Sequence, residues 1–471
     1  MRNKKIITVL LCIFTSIFII FMILIAGKNH SEIIIFDSDG NEYYRISEIP
    51  KDISVGEVII SDNYAVDSII SQVINDMEIN LGYPRDKVIK ILNNNEYSIY
   101  STIDSNIQQT LDNAFNDRST FTETSKSDFN QAAMVITDYK GNVKAVSGGN
   151  NGDNTKNRAA TTLLKVGSTI KPVAIYAKAI DNNLINFSTI IPDIPGNTYI
   201  NGQAIKWPSN YDNRYEGNVT ITEALKKSKN TIAVTVGKMV GEEEIYNFLK
   251  DKLDYNTLID INGGISDKQL SALALGYFND GITLDTLVSS YAIFGNDGEY
   301  NGKRYYSEVK DKKGNILISN EEKKVRAITE ETATIMNRLL LNNIVDDDSI
   351  IKNVSIDNIE VIGKTGTVGN DNDDITSQLF VGMTPDYIAG VWVGYDDERA
   401  LMQGLYNQPS QIWKNVMSNI NMNNNSFELS DNVYQKDYCN ISGLLINENC
   451  ENVNIGYYTE DNTPKKCDIC K

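Results

Sequence analysis

Three short motifs stand in one order along this chain: Ser168-Thr169-Ile170-Lys171, Ser228-Lys229-Asn230 and Lys364-Thr365-Gly366-Thr367. Together they supply a nucleophile, a base, a proton relay and a carboxylate-binding strand, the parts that acyl transfer through a serine ester needs. A fold that uses them has to gather a helix start, a loop and a strand end into one site. The only histidine, His30, lies close to the N-terminus. A nucleophilic Ser168 therefore has no local imidazole, and Lys171 is the candidate base.

The first two motifs are weak alone, and the third is the most specific. Ser-x-x-Lys recurs at Ser307-Glu308-Val309-Lys310, on a strand-like polar stretch where it is an accident. Ser168 differs in context: Gly167 precedes it, a helical pattern follows, and Pro172 sits early in that helix, where its missing N–H costs little. A spacing of three puts hydroxyl and amine on one helix face. The helix start favours an alkoxide and opposes protonation of a nearby lysine. A partly buried lysine with a depressed pKa can then accept the serine proton. The plain alternative is a serine capping an ordinary helix.

Ser-x-Asn also occurs at Ser61-Asp62-Asn63 and Ser430-Asp431-Asn432, but Ser228-Lys229-Asn230 falls between the other two motifs, at a junction of two helical patterns. A hydroxyl there can relay a proton to a leaving amine, and the Asn230 amide can hold a substrate peptide group. Lys364-Thr365-Gly366-Thr367 occurs once, at the end of the strand Val361-Ile362-Gly363. A lysine and two hydroxyls beside a glycine make a carboxylate site with close backbone approach. No metal or cofactor is expected in this set.

The 471 residues, 41% hydrophobic and 23% charged, suit one large domain with attachments. A formal charge of −18, with no long basic run after residue 5, argues against nucleic acid as a partner. Ile6 to Ala26 is an unbroken uncharged, mostly apolar run. At about 1.5 Å per residue it spans a hydrocarbon core of about 30 Å. Arg2, Lys4 and Lys5 precede it and only Lys28 follows closely, so residues 1–5 are expected in the cytoplasm and the rest outside. The run is too long for a signal peptide, and Ala26-Gly27-Lys28 offers no small-x-small cleavage site. The expectation is a single-pass anchor in the cell membrane at 6–26.

Residues 27–96 mix short apolar patches with charge and read as a membrane-proximal linker region. Tyr97 to Asp104 reads as a strand, Ser105 to Phe115 as a helix, and Ala132 to Ser147 as a hairpin around Gly141-Asn142. Helical patterns follow Ser168 and occupy 221–227, 231–240, 266–277, 283–294 and 329–341; strands return at 359–367, 378–383 and 388–393. Strands at both ends with helices between predict an α+β fold, one sheet faced by helices. The Asn-rich stretch Asn419 to Ser426 opens a C-terminal tail, 419–471, that carries Cys439, Cys450, Cys467 and Cys470. Outside the cell two disulfides are expected there. A four-thiolate zinc site is the alternative, with only one C-x-x-C pair to support it. Cys12 lies in the apolar run and reads as filler.

With those motifs in place, the sequence resembles the penicillin-recognising serine enzymes, and among them the transpeptidase domain of class A penicillin-binding proteins. Ser101-Thr102-Ile103-Asp104 with Gln108 is similar to that family's strand-to-helix start. Asn157-Arg158-Ala159 and Val166-Gly167-Ser168-Thr169-Ile170-Lys171-Pro172 resemble its nucleophile region. Val219-Thr220-Ile221-Thr222-Glu223-Ala224-Leu225, leading to Ser228-x-Asn230, resembles its second motif. Phe294-Gly295-Asn296-Asp297-Gly298 and Val391-Trp392-Val393-Gly394-Tyr395-Asp396 also have counterparts. The resemblance implies a β-lactamase/transpeptidase-like fold, an antiparallel sheet flanked by helices, over a domain at 97–418. It also implies Ser168 as nucleophile, Lys171 as its base, and Ser228, Asn230 and Lys364 as the relay and binding set. Thr365, Gly366 and Thr367 would bind the substrate carboxylate strand, and the backbone N–H groups of Ser168 and Thr367 would form the oxyanion hole.

The activity so implied is a peptidoglycan D,D-transpeptidase acting on stem peptides that end in D-Ala-D-Ala, with β-lactam antibiotics bound at the same serine. A D,D-carboxypeptidase, in which water replaces the amine acceptor, and a non-catalytic β-lactam- or wall-binding protein are the alternatives. A β-lactamase would need a deacylating glutamate, and the nearest pattern, Glu243 to Asn247, lacks the expected leucine. Two departures stand out. The roughly 70 residues ahead of position 97 fall below the usual domain size and carry no glycosyltransferase motif, so a separate glycan polymerase is expected as a partner. Leu379-Phe380 stands where the family usually has Trp-Phe.

Overall fold

The computed structural model describes residues 32–470 except 51–62, 122–129, 151–155, 201–202, 347–350, 371, 373 and 402–407. The apolar run at 6–26, with Cys12 and His30, lies outside the described residues. Among the described residues no helix is long and apolar enough to cross a membrane.

The N-terminal part builds on strands β1 (Ile33–Phe36), β2 (Glu42–Ile46) and β3 (Tyr97–Ser101), with helices α1 (Tyr64–Leu81) and α2 (Arg85–Asn93) between the last two. Asn63 caps α1, its Oδ1 accepting the N–H groups of Ala65 and Val66, and Gly82 ends it at φ +63°. Val66, Ile69, Ile70, Val73, Ile74 and Met77 form its buried stripe. β1 pairs in parallel with β3, Ile33 opposite Tyr97, and β3 pairs with a strand from far along the chain. The described parts of 27–96, expected to be a linker, are therefore folded into the same sheet as the stretch that follows. Their apolar patches are short because each is one strand or one helix face, and pairing across the chain makes them a core.

Helix α3 (Ser105–Asn116) is capped by Asp104 and precedes the hairpin β4 (Gln131–Thr137) and β5 (Val143–Ser147). After it come the helices α4 (Ala177–Asp181), α5 (Ile221–Lys226), α6 (Asn230–Val240) and α7 (Leu284–Ser290). Strands β6 (Tyr306–Asp311) and β7 (Ile316–Ser319) complete the first sheet, in the order β7-β6-β3-β1-β2. Helix α8 (Glu330–Val345) leads to β8 (Ile362–Gly369), β9 (Ile375–Met383) and β10 (Ile388–Gly394), and helix α9 (Gln408–Met417) follows. The second sheet is antiparallel throughout, in the order β8-β9-β10-β4-β5.

Every residue of β10 is buried, because helices cover both faces of this sheet. Met134, Ile136, Val391 and Val393 face α3 and α9, whereas Ala133, Val135 and Val381 face α7, α8 and the Ser168 segment. A doubly covered sheet reads as continuous apolar runs instead of alternation. This is the expected α+β layering.

Two local expectations change. The helical pattern at 266–277 yields helix only over Leu270–Leu273. Asp267 accepts the backbone N–H groups of Ile259 and Asn279, both at 2.8 Å, and these turn bonds compete with helix bonds. The tail opens with the Asn-rich stretch, packed on the domain through the Glu360 N–H to the Asn425 carbonyl at 2.8 Å. It continues as the hairpin β11 (Tyr434–Cys439) and β12 (Val453–Tyr458). Two disulfides were expected here; in this structure no disulfide joins Cys439, Cys450, Cys467 or Cys470.

Candidate active site

The three motifs converge at β8, the edge strand of the second sheet, whose outer line of backbone groups has no strand partner among the described residues. Ser168 sits half-buried in a tight turn, Gly167–Thr169, laid against that strand. The Val166 N–H donates to the Gly276 carbonyl at 3.1 Å. Thr169 Oγ1 donates back to the Val166 carbonyl at 2.6 Å, and the Tyr291 hydroxyl donates to the Thr169 carbonyl at 2.5 Å. Gly167 holds φ at +56°, and a Cβ there would lie 2.5 Å from the Thr367 carbonyl oxygen. A Cβ on Gly366 would lie 2.6 Å from the Val166 carbonyl oxygen. Bare glycine backbone on both segments thus brings the Ser168 turn and Thr367 side by side.

Lys171 follows one turn later and is 0% exposed. Its Nζ donates to the Ser228 carbonyl at 2.7 Å and to Asn230 Oδ1 at 2.6 Å, and it lies 3.4 Å from Ser228 Oγ. Lys364 is 2% exposed; its Nζ donates to Ser228 Oγ at 2.9 Å and to the Thr365 carbonyl at 3.0 Å. The Ser228 hydroxyl therefore stands between two buried amines, all of whose named partners are uncharged oxygens. Burial disfavours an ammonium. It drives Lys171 well below its ordinary value, with nearby Lys364 pushing the same way, and it lowers Lys364 to about 7.

A neutral lysine amine has two hydrogens and one lone pair. In that state Lys171 would give its hydrogens to the Ser228 carbonyl and Asn230 Oδ1, its two shortest contacts, and keep a lone pair with which to accept a hydroxyl proton.

Ser228 reaches its position through a left-handed backbone, φ +55°, closed by its own N–H to the Leu225 carbonyl at 3.1 Å and the Lys229 N–H to the Ala224 carbonyl at 2.9 Å. Asn230 opens α6. Its backbone N–H donates to Asn210 Oδ1 at 2.9 Å, and its Nδ2 donates to the Ser209 carbonyl at 2.8 Å.

Supporting residues surround this set, and of them Lys229 and Asp193 were given no role from the sequence. Lys229, a mere spacer in the motif, is buried and pairs with Asp193 at 3.1 Å and Glu216 at 3.0 Å. Asp193 also accepts from Asn210 at 2.7 Å and from Thr231 at 2.6 Å, so the loop that carries Ser228 and Asn230 is held from below. No local pattern marks Asp193, which comes from a separate short strand, Ile190–Asp193. Arg158 is buried and makes a two-pronged pair with Asp396, both contacts at 2.7 Å; it ties the segment ahead of Ser168 to the end of β10.

Lys364, Thr365, Gly366 and Thr367 lie inside β8, opposite Val381, Phe380, Leu379 and Gln378. The strand thus runs on through the motif instead of ending at it. Thr365 and Thr367 are half-buried on its open side. Leu379, at the position that departs from the family pattern, is buried on β9 directly opposite Gly366.

Two other sequence features are structural. Thr102 Oγ1 bonds the Val143 carbonyl at 2.8 Å and Gln108 Nε2 the Val146 carbonyl at 3.0 Å, closing the sheet. Ser307 to Lys310 lies on β6, with Lys310 paired to Glu308, away from the site.

Residues 131–418 match the family model described as the penicillin binding protein transpeptidase domain. Penicillin-binding protein 1A of Clostridium perfringens is 30% identical over 368 residues, 74% of this chain and 52% of that protein. The protein of the same name from Clostridium acetobutylicum is 31% identical over 372 residues, 75% of this chain and 44% of that protein. The chain spans about half the length of the curated relatives it matches. Penicillin-binding protein 1A from Haemophilus influenzae shares the fold at a TM-score of 0.67 and 16% identity, over 90% of this chain and 78% of that one. PonA1 from Mycobacterium tuberculosis in complex with penicillin V does so at 0.62 and 20% identity, over 76% of this chain and 94% of that one. With more than half of its length matched by the family model, this chain belongs to the penicillin binding protein transpeptidase domain family.

Proposed function

We propose that this protein is a peptidoglycan D,D-transpeptidase that works through an acyl-enzyme on Ser168. The observation that carries the reading is the Ser228 hydroxyl held between the buried amines of Lys171 and Lys364. Neutral Lys171 takes the Ser168 proton, and the freed Oγ attacks the carbonyl carbon of the D-Ala-D-Ala bond in a stem peptide. The backbone N–H groups of Ser168 and Thr367 receive the developing oxyanion, an interaction worth about 3–4 kcal/mol per donor in comparable acyl transfers. Collapse breaks the C–N bond. The leaving amine takes its proton through Ser228, which Lys171 recharges. Lys364, Thr365 and Thr367 hold the terminal carboxylate, and an incoming amine from a second stem then attacks the ester.

The same pocket accepts a β-lactam, whose ring carbonyl takes the place of the peptide. No glutamate in the assembled set is positioned to activate water, so the drug ester should persist. The protein is proposed to act from a single-pass membrane anchor at 6–26, facing outward, on strands supplied by a glycan polymerase. Intact-mass measurement after incubation with penicillin tests the assignment. One drug-sized mass increment is expected on the wild-type chain and none on Ser168→Ala. An unmodified wild-type chain at saturating drug rejects the nucleophile. Release of free D-Ala without cross-linked product from a two-stem substrate makes it a carboxypeptidase.

A further inference from the structure

From the tail we infer that Cys439, Cys450, Cys467 and Cys470 bind one structural zinc ion. Their four sulfur atoms all lie within 4.8 Å of one another, and Cys439 Sγ stands 3.6 Å from Cys470 Sγ. A tetrahedral zinc with Zn–S bonds of about 2.3 Å sets its sulfurs about 3.8 Å apart. Two disulfides would draw the sulfurs into bonded pairs about 2.05 Å apart and would not require both pairs to meet at one point.

The backbone brings the ligands in as two knuckles hung on one segment. Cys439 N–H donates to the Leu444 carbonyl at 2.8 Å, and Cys467 N–H donates to the Leu445 carbonyl at 2.7 Å. Around the sulfurs sit two donors suited to thiolates, beside one acceptor, Asn447 Oδ1, at 3.2 Å from Cys450 Sγ. Ser442 Oγ points at Cys467 Sγ at 3.2 Å, and the Asn447 N–H points at Cys450 Sγ at 3.5 Å. Asn447 Nδ2 also bonds the carbonyls of Cys467 and Cys470 at 2.9 and 3.0 Å, closing the C-x-x-C turn. Such outer contacts orient metal ligands and tune them.

A hairpin this small needs the staple. From Tyr434 onward the buried side chains are Tyr438, Cys439, Tyr458 and Cys467, too few for a core, and pieces below about 40 residues usually depend on disulfides or a metal. Zinc binding replaces each S–H bond by a Zn–S bond and releases the proton to solvent. A thiolate so engaged is withdrawn from disulfide exchange.

The clamped hairpin sits on the domain around the 185–190 loop, where Asn462 Nδ2 also donates to the Ile185 carbonyl at 3.2 Å. The Tyr458 hydroxyl donates to Ser188 Oγ at 2.7 Å, Ser188 Oγ donates to the Gly443 carbonyl at 2.6 Å, and Phe187 packs against Tyr438, Tyr457 and Tyr458. The tail is thus a metal-held cap on the 185–190 loop, which in turn bonds the start of α5 through the Ile221 N–H to the Thr189 carbonyl at 2.9 Å.

Metal analysis and thiol titration on the full chain test this, with Ser168 acylation by penicillin as the fold control. About one zinc per chain is expected, with all four tail thiols reactive once the chain is denatured in chelator under non-reducing conditions. The double variant Cys467→Ser, Cys470→Ser should lose the zinc and melt at lower temperature while Ser168 still takes penicillin. Paired tail cysteines in the wild-type chain overturn the inference. So do free thiols that take up no zinc from buffered zinc solution, stoichiometric iron in its place, or zinc retained by the double variant. The wild-type measurements decide the matter even if the double variant does not fold.

Discussion

At Lys171 burial lowers the pKa, and the hydrogen bonds set which way the amine can react. The Ser228 carbonyl and Asn230 Oδ1 accept both hydrogens of the neutral amine, so its lone pair is aimed by elimination. Lys171→Ala should lower the penicillin acylation rate about 100- to 10,000-fold, while penicillin-independent thermal melting stays cooperative. Stopped-flow acylation beside a melting curve checks both, and near-wild-type acylation would move the base elsewhere.

The two lysines also predict a pH profile. On the proposed mechanism acylation needs Lys171 unprotonated, so the rate should rise with pH through its lowered value. On the same mechanism carboxylate binding uses protonated Lys364, so affinity should fall as pH climbs past about 7. The second-order rate should be bell-shaped, with the alkaline limb lost in Lys364→Ala. A limb that persists in that variant removes Lys364 from the carboxylate site.

Among elements, the turn at Gly167–Thr169 and strand β8 work as one unit because neither carries a Cβ where they meet. Gly167→Ala places a methyl 2.5 Å from the Thr367 carbonyl and forces an alanine into the left-handed region. Strain and displacement together should cost about 1–4 kcal/mol, and the oxyanion geometry should go with them. Denaturant unfolding and acylation kinetics should therefore fall together; a variant with wild-type kinetics contradicts the close approach. The loop bearing Ser228 depends on Asp193 in the same way. Asp193→Ala leaves buried Lys229 with Glu216 as its remaining carboxylate, a loss of about 3 kcal/mol, read by the same unfolding assay.

Among the described residues two five-stranded sheets share one chain path, and the first joins strands near the N-terminus to strands at 306–319. β3 is flanked by β1 and β6, so removal of residues 1–96 strips a parallel partner from β3 and uncovers the apolar face that α1 protects. The truncated chain should be poorly soluble and lose cooperative melting, as an uncovered strand edge invites aggregation. A soluble 97–471 fragment with full penicillin acylation would show the first segment to be dispensable.

What could be read from the sequence is what short-range chemistry dictates. Ser168, Lys171, Ser228, Asn230 and the Lys364 strand were recognisable because a hydroxyl, an amine and a glycine at fixed spacing need no partner to declare themselves. The α+β order, the β4–β5 hairpin and most helices were legible because period and turn residues act locally. The tertiary structure decided the rest. Strand β1 found its partner at β3, Arg158 met Asp396, and Lys229 met Asp193, each across a stretch of chain whose closure leaves no local mark. The four cysteines were plain to count, but whether they pair or surround an ion depends on where folding sets their sulfurs. That is a property of distance in space, which residue spacing does not encode.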